Sequence, residues 1–125
     1  TLIKEKFKFL SYAPITFLSA KTGEGVEGLW PLINRLHQTM AKKVKTSDLN
    51  ELLEELVLTH NLPIFKGKPV KFYYGTQTRT SPPQFAFFTN EPKGVHFSFE
   101  RFLVNQIREA FGFGGSPIQI LFRKK

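Results

Sequence analysis

The sequence has no cysteine, which excludes a disulfide framework, a thiolate zinc site, an iron–sulfur cluster and a thiol nucleophile. It has one methionine, one tryptophan and a single aspartate, Asp48. No run approaches the ~18 apolar residues a bilayer span needs, and no signal-peptide pattern opens the chain. His37, His60 and His96 lie far apart, without H-E-x-x-H or comparable ligand spacing. G-x-S-x-G, paired-carboxylate and G-x-x-x-x-G-K-[ST] patterns are all missing. Self-contained catalysis and a metal site are therefore not expected, and a cytoplasmic location is the default. The chain does not begin with Met, so it reads as a piece of something longer.

Positive charge and phenylalanine are abundant. The 125 residues carry 18 Lys and Arg against 10 Asp and Glu, a net +8, with 14 Phe. At 41% hydrophobic and 22% charged the composition is globular, enough for one domain or a small domain with an appendage. The charge is uneven. Residues 1–45 hold eight bases and three acids, residues 46–65 four acids and no Lys or Arg, and residues 66–125 ten bases and three acids. A boundary falls near residues 41–47. Such a basic surface suits a polyanion, whether RNA, DNA or an anionic membrane.

Hydrophobic periodicity gives the order of elements. Ile15 to Ala20 is a short apolar run that reads as a buried strand, followed by a Lys-Thr-Gly-Glu-Gly loop. Val26, Leu29, Trp30, Ile33, Leu36 and Met40 recur at helical spacing, ahead of Lys42, Lys43 and Lys45. Strand, glycine loop and helix resemble the last unit of an α/β domain whose sheet is missing, so residues 1–25 should order poorly alone.

A second helix is expected from Ser47 or Asp48, with Asp48 and Glu51 at capping-box spacing and Leu49, Leu52, Leu53, Leu56 and Val57 on one stripe. Asn61–Pro69 reads as a loop. Residues 70–78 alternate as a strand, with Val70, Phe72, Tyr74 and Thr76 on one face, and residues 84–90 form its hairpin partner. Ser98 can cap a helix to Phe111 that Gly112 stops, and residues 117–125 form a last strand. From residue 46 the pattern is α-β-β-α-β, an α+β domain with a three-stranded sheet and its helices on one face.

Arg101, Asn105 and Arg108 make a polar stripe on the last helix. Lys66, Lys68 and Lys71 flank the first strand, Arg79 lies in the hairpin connection, and Arg123, Lys124 and Lys125 close the sequence. Bases interleaved with Tyr73 and Tyr74 suit phosphate contact combined with base stacking. The competing reading is a solvated basic face with the tyrosines in the core. Gly112-Phe-Gly-Gly115 is a literal G-x-x-G, a loop type that can approach an RNA backbone closely.

Phe72-Tyr-Tyr-Gly-Thr-Gln-Thr78, Pro82-Pro-Gln-Phe85, Thr89-Asn-Glu-Pro92, His96-Phe-Ser-Phe-Glu-Arg-Phe-Leu-Val-Asn-Gln-Ile-Arg108 and Ala110-Phe-Gly-Phe-Gly-Gly-Ser-Pro-Ile-Gln-Ile120 together resemble the C-terminal domain of the bacterial EngA (Der) tandem GTPases. Tyr12 to Gly23 resembles the end of that family's second GTPase domain, with Ser19-Ala20-Lys21 matching its fifth guanine-nucleotide motif. The resemblance implies a remnant of a P-loop GTPase domain at 1–45, contributing its last strand and helix, and a KH-like domain at 46–125. It implies a role in assembling the large ribosomal subunit, with rRNA and the protein's own GTPase domains as partners and no membrane. Backbone amides at Ala20 and Lys21 would face the guanine carbonyl. GTP and Mg²⁺ would belong to the parent protein, since this stretch lacks the phosphate loop, DxxG and NKxD; no cofactor is expected in it. KH domains hold G-x-x-G between two helices, whereas here it joins a helix to a strand. The alternative function is an intramolecular docking module for the GTPase domains, without direct RNA contact.

Overall fold

In the computed structural model, which describes residues 2–125, the helical and strand periods above become a chain of short elements. Thr1, the first residue of the expected 1–45 unit, lies outside the described residues. Helix α1 (Leu2–Lys6) and a 3₁₀ turn at Lys8–Leu10 come first, followed by α2 (Leu29–Met40) and α3 (Thr46–Thr59). Strands β1 (Ile64–Phe65) and β2 (Lys68–Pro69) form a miniature hairpin. The main sheet follows as β3 (Phe72–Arg79), β4 (Gln84–Thr89) and, after α4 (Phe97–Phe111), β5 (Gln119–Lys124). Its order is β3-β4-β5, with β3 antiparallel and β5 parallel to β4. The parallel pair requires a crossover, which α4 supplies.

The leucine stripe of α3 does what its spacing implies. Leu49, Leu53 and Leu56 are buried beside Phe85 and Phe87 of β4, Phe99, Leu103 and Ile107 of α4, and Phe113 and Ile120. Both helices thus share one face of the sheet, as an α+β domain requires. Gly112 ends α4 in the left-handed region at φ +72°, which a residue without Cβ adopts at little cost.

Five local differences from the sequence reading each have a physical cause. Residues 15–20 form no strand. A strand is defined by a neighbour, and among the described residues no other segment pairs with this one; Phe17 stands 75% exposed. Helix α3 starts at Thr46 with Lys45 as its N-cap and no side-chain cap bond, so the Asp48–Glu51 capping box is not made. Asp48 instead sits within the first turn, where a carboxylate favours the positive helix end. The expected 61–69 loop contains the β1–β2 hairpin, because Lys66 and Gly67 both take positive φ (51° and 79°), the backbone of a tight two-residue turn.

Strand β3 slips register between Phe72 and Tyr74, leaving Tyr73 as an extra residue. Phe72 therefore faces the helices, stacked on Phe99 at 5.2 Å, while Tyr74 points to the opposite face against Phe88. They do not share a face as alternation alone predicts. Finally, α4 is capped by His96, whose Nδ1 accepts from the Ser98 amide at 3.1 Å; Ser98 lies inside the helix.

Candidate nucleic-acid interface

The basic residues singled out above fall into three groups. The first gathers at one end of the sheet. Because β3 runs against β4 and β5 runs with it, the start of β3 lies beside the ends of β4 and β5. Lys71 donates its amide to Asn90 Oδ1 at 2.7 Å, and the Lys125 amide donates to the Thr89 carbonyl at 3.1 Å. The Lys125 ammonium stands 4.6 Å from the centre of the exposed Tyr73 ring. Lys66 and Lys68 join this end through the β1–β2 hairpin, since Val70 donates to the Pro63 carbonyl at 2.9 Å and Asn90 Nδ2 to that of Pro69 at 3.3 Å. Among the described residues the only ion pair is Lys124 with Glu91, at 3.8 Å. The other cations of this end have no carboxylate partner among the described residues.

The second group is on α4. Arg101, Asn105 and Arg108 line an open groove of about 630 Å³ together with Lys8, Phe9 and Tyr12 of the N-terminal segment. Arg101 is exposed, its guanidinium 5.7 Å from the Phe97 ring centre. Arg108 is different. It is half-buried, stacks 4.6 Å over Tyr12, and donates to the Ser116 carbonyl at 3.1 Å and Asn105 Oδ1 at 3.3 Å. Burial pulls its pKa below the ordinary arginine value, against a smaller opposing influence of Tyr12, although a guanidinium stays charged at any working pH. Its contacts join α4, the loop after it and the N-terminal segment, so its charge is committed inside the molecule.

Arg79 belongs to a third place, the opposite end of the sheet, beside Lys43 across a shallow polar groove. The sequence reading places Lys42 and Lys43 only as cations after the preceding helix; in the fold Lys42 reaches across to donate to the Gly112 carbonyl at 3.0 Å. Nothing in a local pattern signals a contact across seventy residues. The same bond ties one end of the Gly112-x-x-Gly115 loop, while Gly112 and Gly114 stay exposed. Its first glycine is held by Lys42, and a Cβ on Gly115 would stand 2.6 Å from Leu36 of α2.

Ser19, Ala20 and Lys21 fall in a tight turn. The Ser19 amide donates to the Glu24 carbonyl and Gly23 to that of Ser19, both at 2.8 Å, while Thr22 donates to Ser19 Oγ at 3.3 Å. The amides of Ala20 and Lys21 are left outside this network among the described residues.

The family model that describes the KH-domain-like C-terminal part of EngA bacterial GTPase enzymes matches residues 43–123. This chain belongs to that EngA KH-like family. The match opens just before α3 and closes in β5, so it covers the α3-β3-β4-α4-β5 unit and the miniature hairpin within it. Similarity extends further along the chain. It is 50% identical over 121 residues to the GTPase Der of Geobacter metallireducens, 45% identical over 121 to that of Geotalea daltonii, and 47% identical over 123 to that of Listeria monocytogenes serovar 1/2a. These alignments take in 97–98% of this chain and 27–28% of each relative, so the EngA-family chain spans about a quarter of the length of the curated relatives it matches. No described helix is long and apolar enough to cross a membrane.

Proposed function

We propose that the KH-like domain binds ribosomal RNA during assembly of the large subunit, and couples that contact to the nucleotide state of GTPase domains in the longer protein. The observation that carries the RNA reading is the sheet end that gathers Lys66, Lys68, Lys71, Lys124 and Lys125, with Lys125 over the exposed Tyr73 ring and, among the described residues, the Lys124–Glu91 contact as the single ion pair. Unneutralised cations on one rim release counterions when they meet phosphates, and that release drives polyanion binding. Residues 1–45 fit the end of the second GTPase domain. In that reading the free amides of Ala20 and Lys21 donate to a guanine carbonyl, with GTP and Mg²⁺ held by other parts of the parent enzyme. A cytoplasmic setting follows from the same role.

A second reading rests on a separate observation. Arg108, Gly112 and Gly115 are already engaged by Tyr12, Lys42 and Leu36, so the α4 side of the domain serves docking onto the preceding domain. The two readings use different surfaces and are compatible.

The test is a titration of this chain with rRNA fragments across a salt series. Affinity falls steeply with salt, and the slope of log K against log salt shrinks by about one for each phosphate contact removed when Lys71, Lys124 and Lys125 are changed to Ala. Binding that is absent, or indifferent to salt, overturns the RNA reading.

A further inference from the structure

Among the described residues no helix lies on the face of the sheet opposite α3 and α4, and its side chains fall into three rows set by the strand register. At one end Thr78 donates to Gln84 Oε1 at 2.9 Å, and Gln84 Nε2 donates to Gln119 Oε1 at 3.1 Å, a polar ladder across all three strands. The middle row is Thr76, Ala86 and Leu121. Ala86 is short and sunk beneath its neighbours, so this row forms a shallow floor. The third row is Tyr74, Phe88 and Arg123, with the two rings parallel within 17° at 4.5 Å. Tyr74 is 42% exposed and Arg123 is exposed. The register slip at Tyr73 places Tyr74 on this face, so it is a product of the fold and not of the period-two pattern.

We propose that this helix-free face is a stacking platform for single-stranded RNA, in which Tyr74 and Phe88 carry a base and Arg123 meets the adjoining phosphate. The inference rests on the RNA reading above and names where, and in what form, the RNA is held. A cross-strand aromatic pair stabilises a sheet by itself, but that role does not need a cation beside it. Here Arg123 closes the row, and Lys71 and Lys125 lie just beyond it. The nine residues of the three rows include no carboxylate. An occupant must therefore bring negative charge together with flat apolar surface. A single strand of nucleic acid brings both; a second copy of this chain brings the same cations. Duplex RNA has its base faces stacked internally and offers the rings only the pair at each end.

The experiment compares a fluorescent twelve-residue oligouridylate with a blunt RNA duplex of the same length, using this chain and its Tyr74→Leu, Phe88→Leu and Arg123→Gln variants. Tyr74→Leu is expected to weaken oligouridylate binding roughly tenfold or more, leaving duplex binding and the salt slope unchanged. Arg123→Gln lowers the salt slope by about one. Addition of oligouridylate to the unsubstituted chain shifts the Tyr74 ring protons upfield, a readout that does not depend on any variant folding. The platform is overturned if folded Tyr74→Leu and Phe88→Leu bind oligouridylate as the parent does while its salt dependence persists; RNA binding then stands and lies elsewhere. It is also overturned if Tyr74→Leu abolishes self-association in sedimentation, which makes the face an interface between copies. Failure of the unsubstituted chain to bind either RNA instead sinks the RNA reading itself.

Discussion

Asn50 of α3 and Gly75 of β3 hold each other by two hydrogen bonds: the Gly75 amide donates to Asn50 Oδ1 at 2.8 Å, and Asn50 Nδ2 donates to the Gly75 carbonyl at 2.9 Å. Strand β3 is an edge of the sheet, and an edge offers unpaired backbone groups to any passing strand. Here a side-chain amide occupies both groups of one residue, as a neighbouring strand would. The same bonds orient α3 on the sheet.

Asn50→Ala is expected to lower stability by about 2–3 kcal/mol, because it removes two bonds and leaves a part-buried amide and carbonyl unpartnered. Urea unfolding at constant m-value measures it. A change below about 0.5 kcal/mol shows that water replaces the side chain without loss.

Gly75 is held for a second reason, since a Cβ there would stand 2.5 Å from the Phe87 ring. Phe87 is fully buried among core side chains and cannot move freely. Gly75→Ala is predicted to cost about 1–3 kcal/mol through overpacking, read as a lowered unfolding midpoint.

Arg108→Lys keeps the charge but loses the fork that reaches Ser116 and the plane that lies on Tyr12. The expected outcome is a loss of about 1–3 kcal/mol in stability, with the salt slope of RNA binding unchanged. A smaller salt slope with intact stability places Arg108 on the RNA instead.

Gly115 takes φ +85° and abuts Leu36, so Gly115→Ala strains the backbone and pushes α2 away. Hydrogen exchange should rise across α2 while the amides of Leu53 and Leu103 stay protected. Equal rises in both show global destabilisation, not an undocked helix.

Amides of Ile15, Thr16, Phe17 and Leu18 make no hydrogen bond among the described residues, whereas Phe85 to Thr89 are paired on both sides. The first set should exchange within seconds to minutes at neutral pH, the second on the scale of global unfolding. Slow exchange at Phe17 contradicts the unpaired arrangement.

Where a feature depends on nearest neighbours, the sequence shows it. The α3 leucines repeat at i, i+3, i+4 and i+7, and burial follows that period because the helix geometry does; Gly112 stops α4 for an equally local reason. The aromatic motifs from Phe72 to Ile120 are long and ordered enough to place the chain in its family. Features set by partners are hidden. Whether Tyr74 faces the core depends on a slip against β4, and whether residues 15–20 become a strand depends on another segment beside them. The candidate site was legible in the same proportion. The lysines near Tyr73 stand out as a cluster, but Arg108, an exposed stripe residue by helical spacing, turns inward because Ser116 and Tyr12 meet it there.

The crossover that α4 provides has a kinetic consequence. Partners in the β3–β4 hairpin are separated by as few as five residues, Arg79 with Gln84, whereas every β4–β5 pair, from Gln84 with Gln119 to Thr89 with Lys124, spans thirty-five. Loop-closure entropy for the last strand must be met before Ile120 and Phe122 gain their contacts with Phe85 and Phe87. Pairing β5 with β4 is therefore the costlier of the two closures, and the connection through α4 carries that cost.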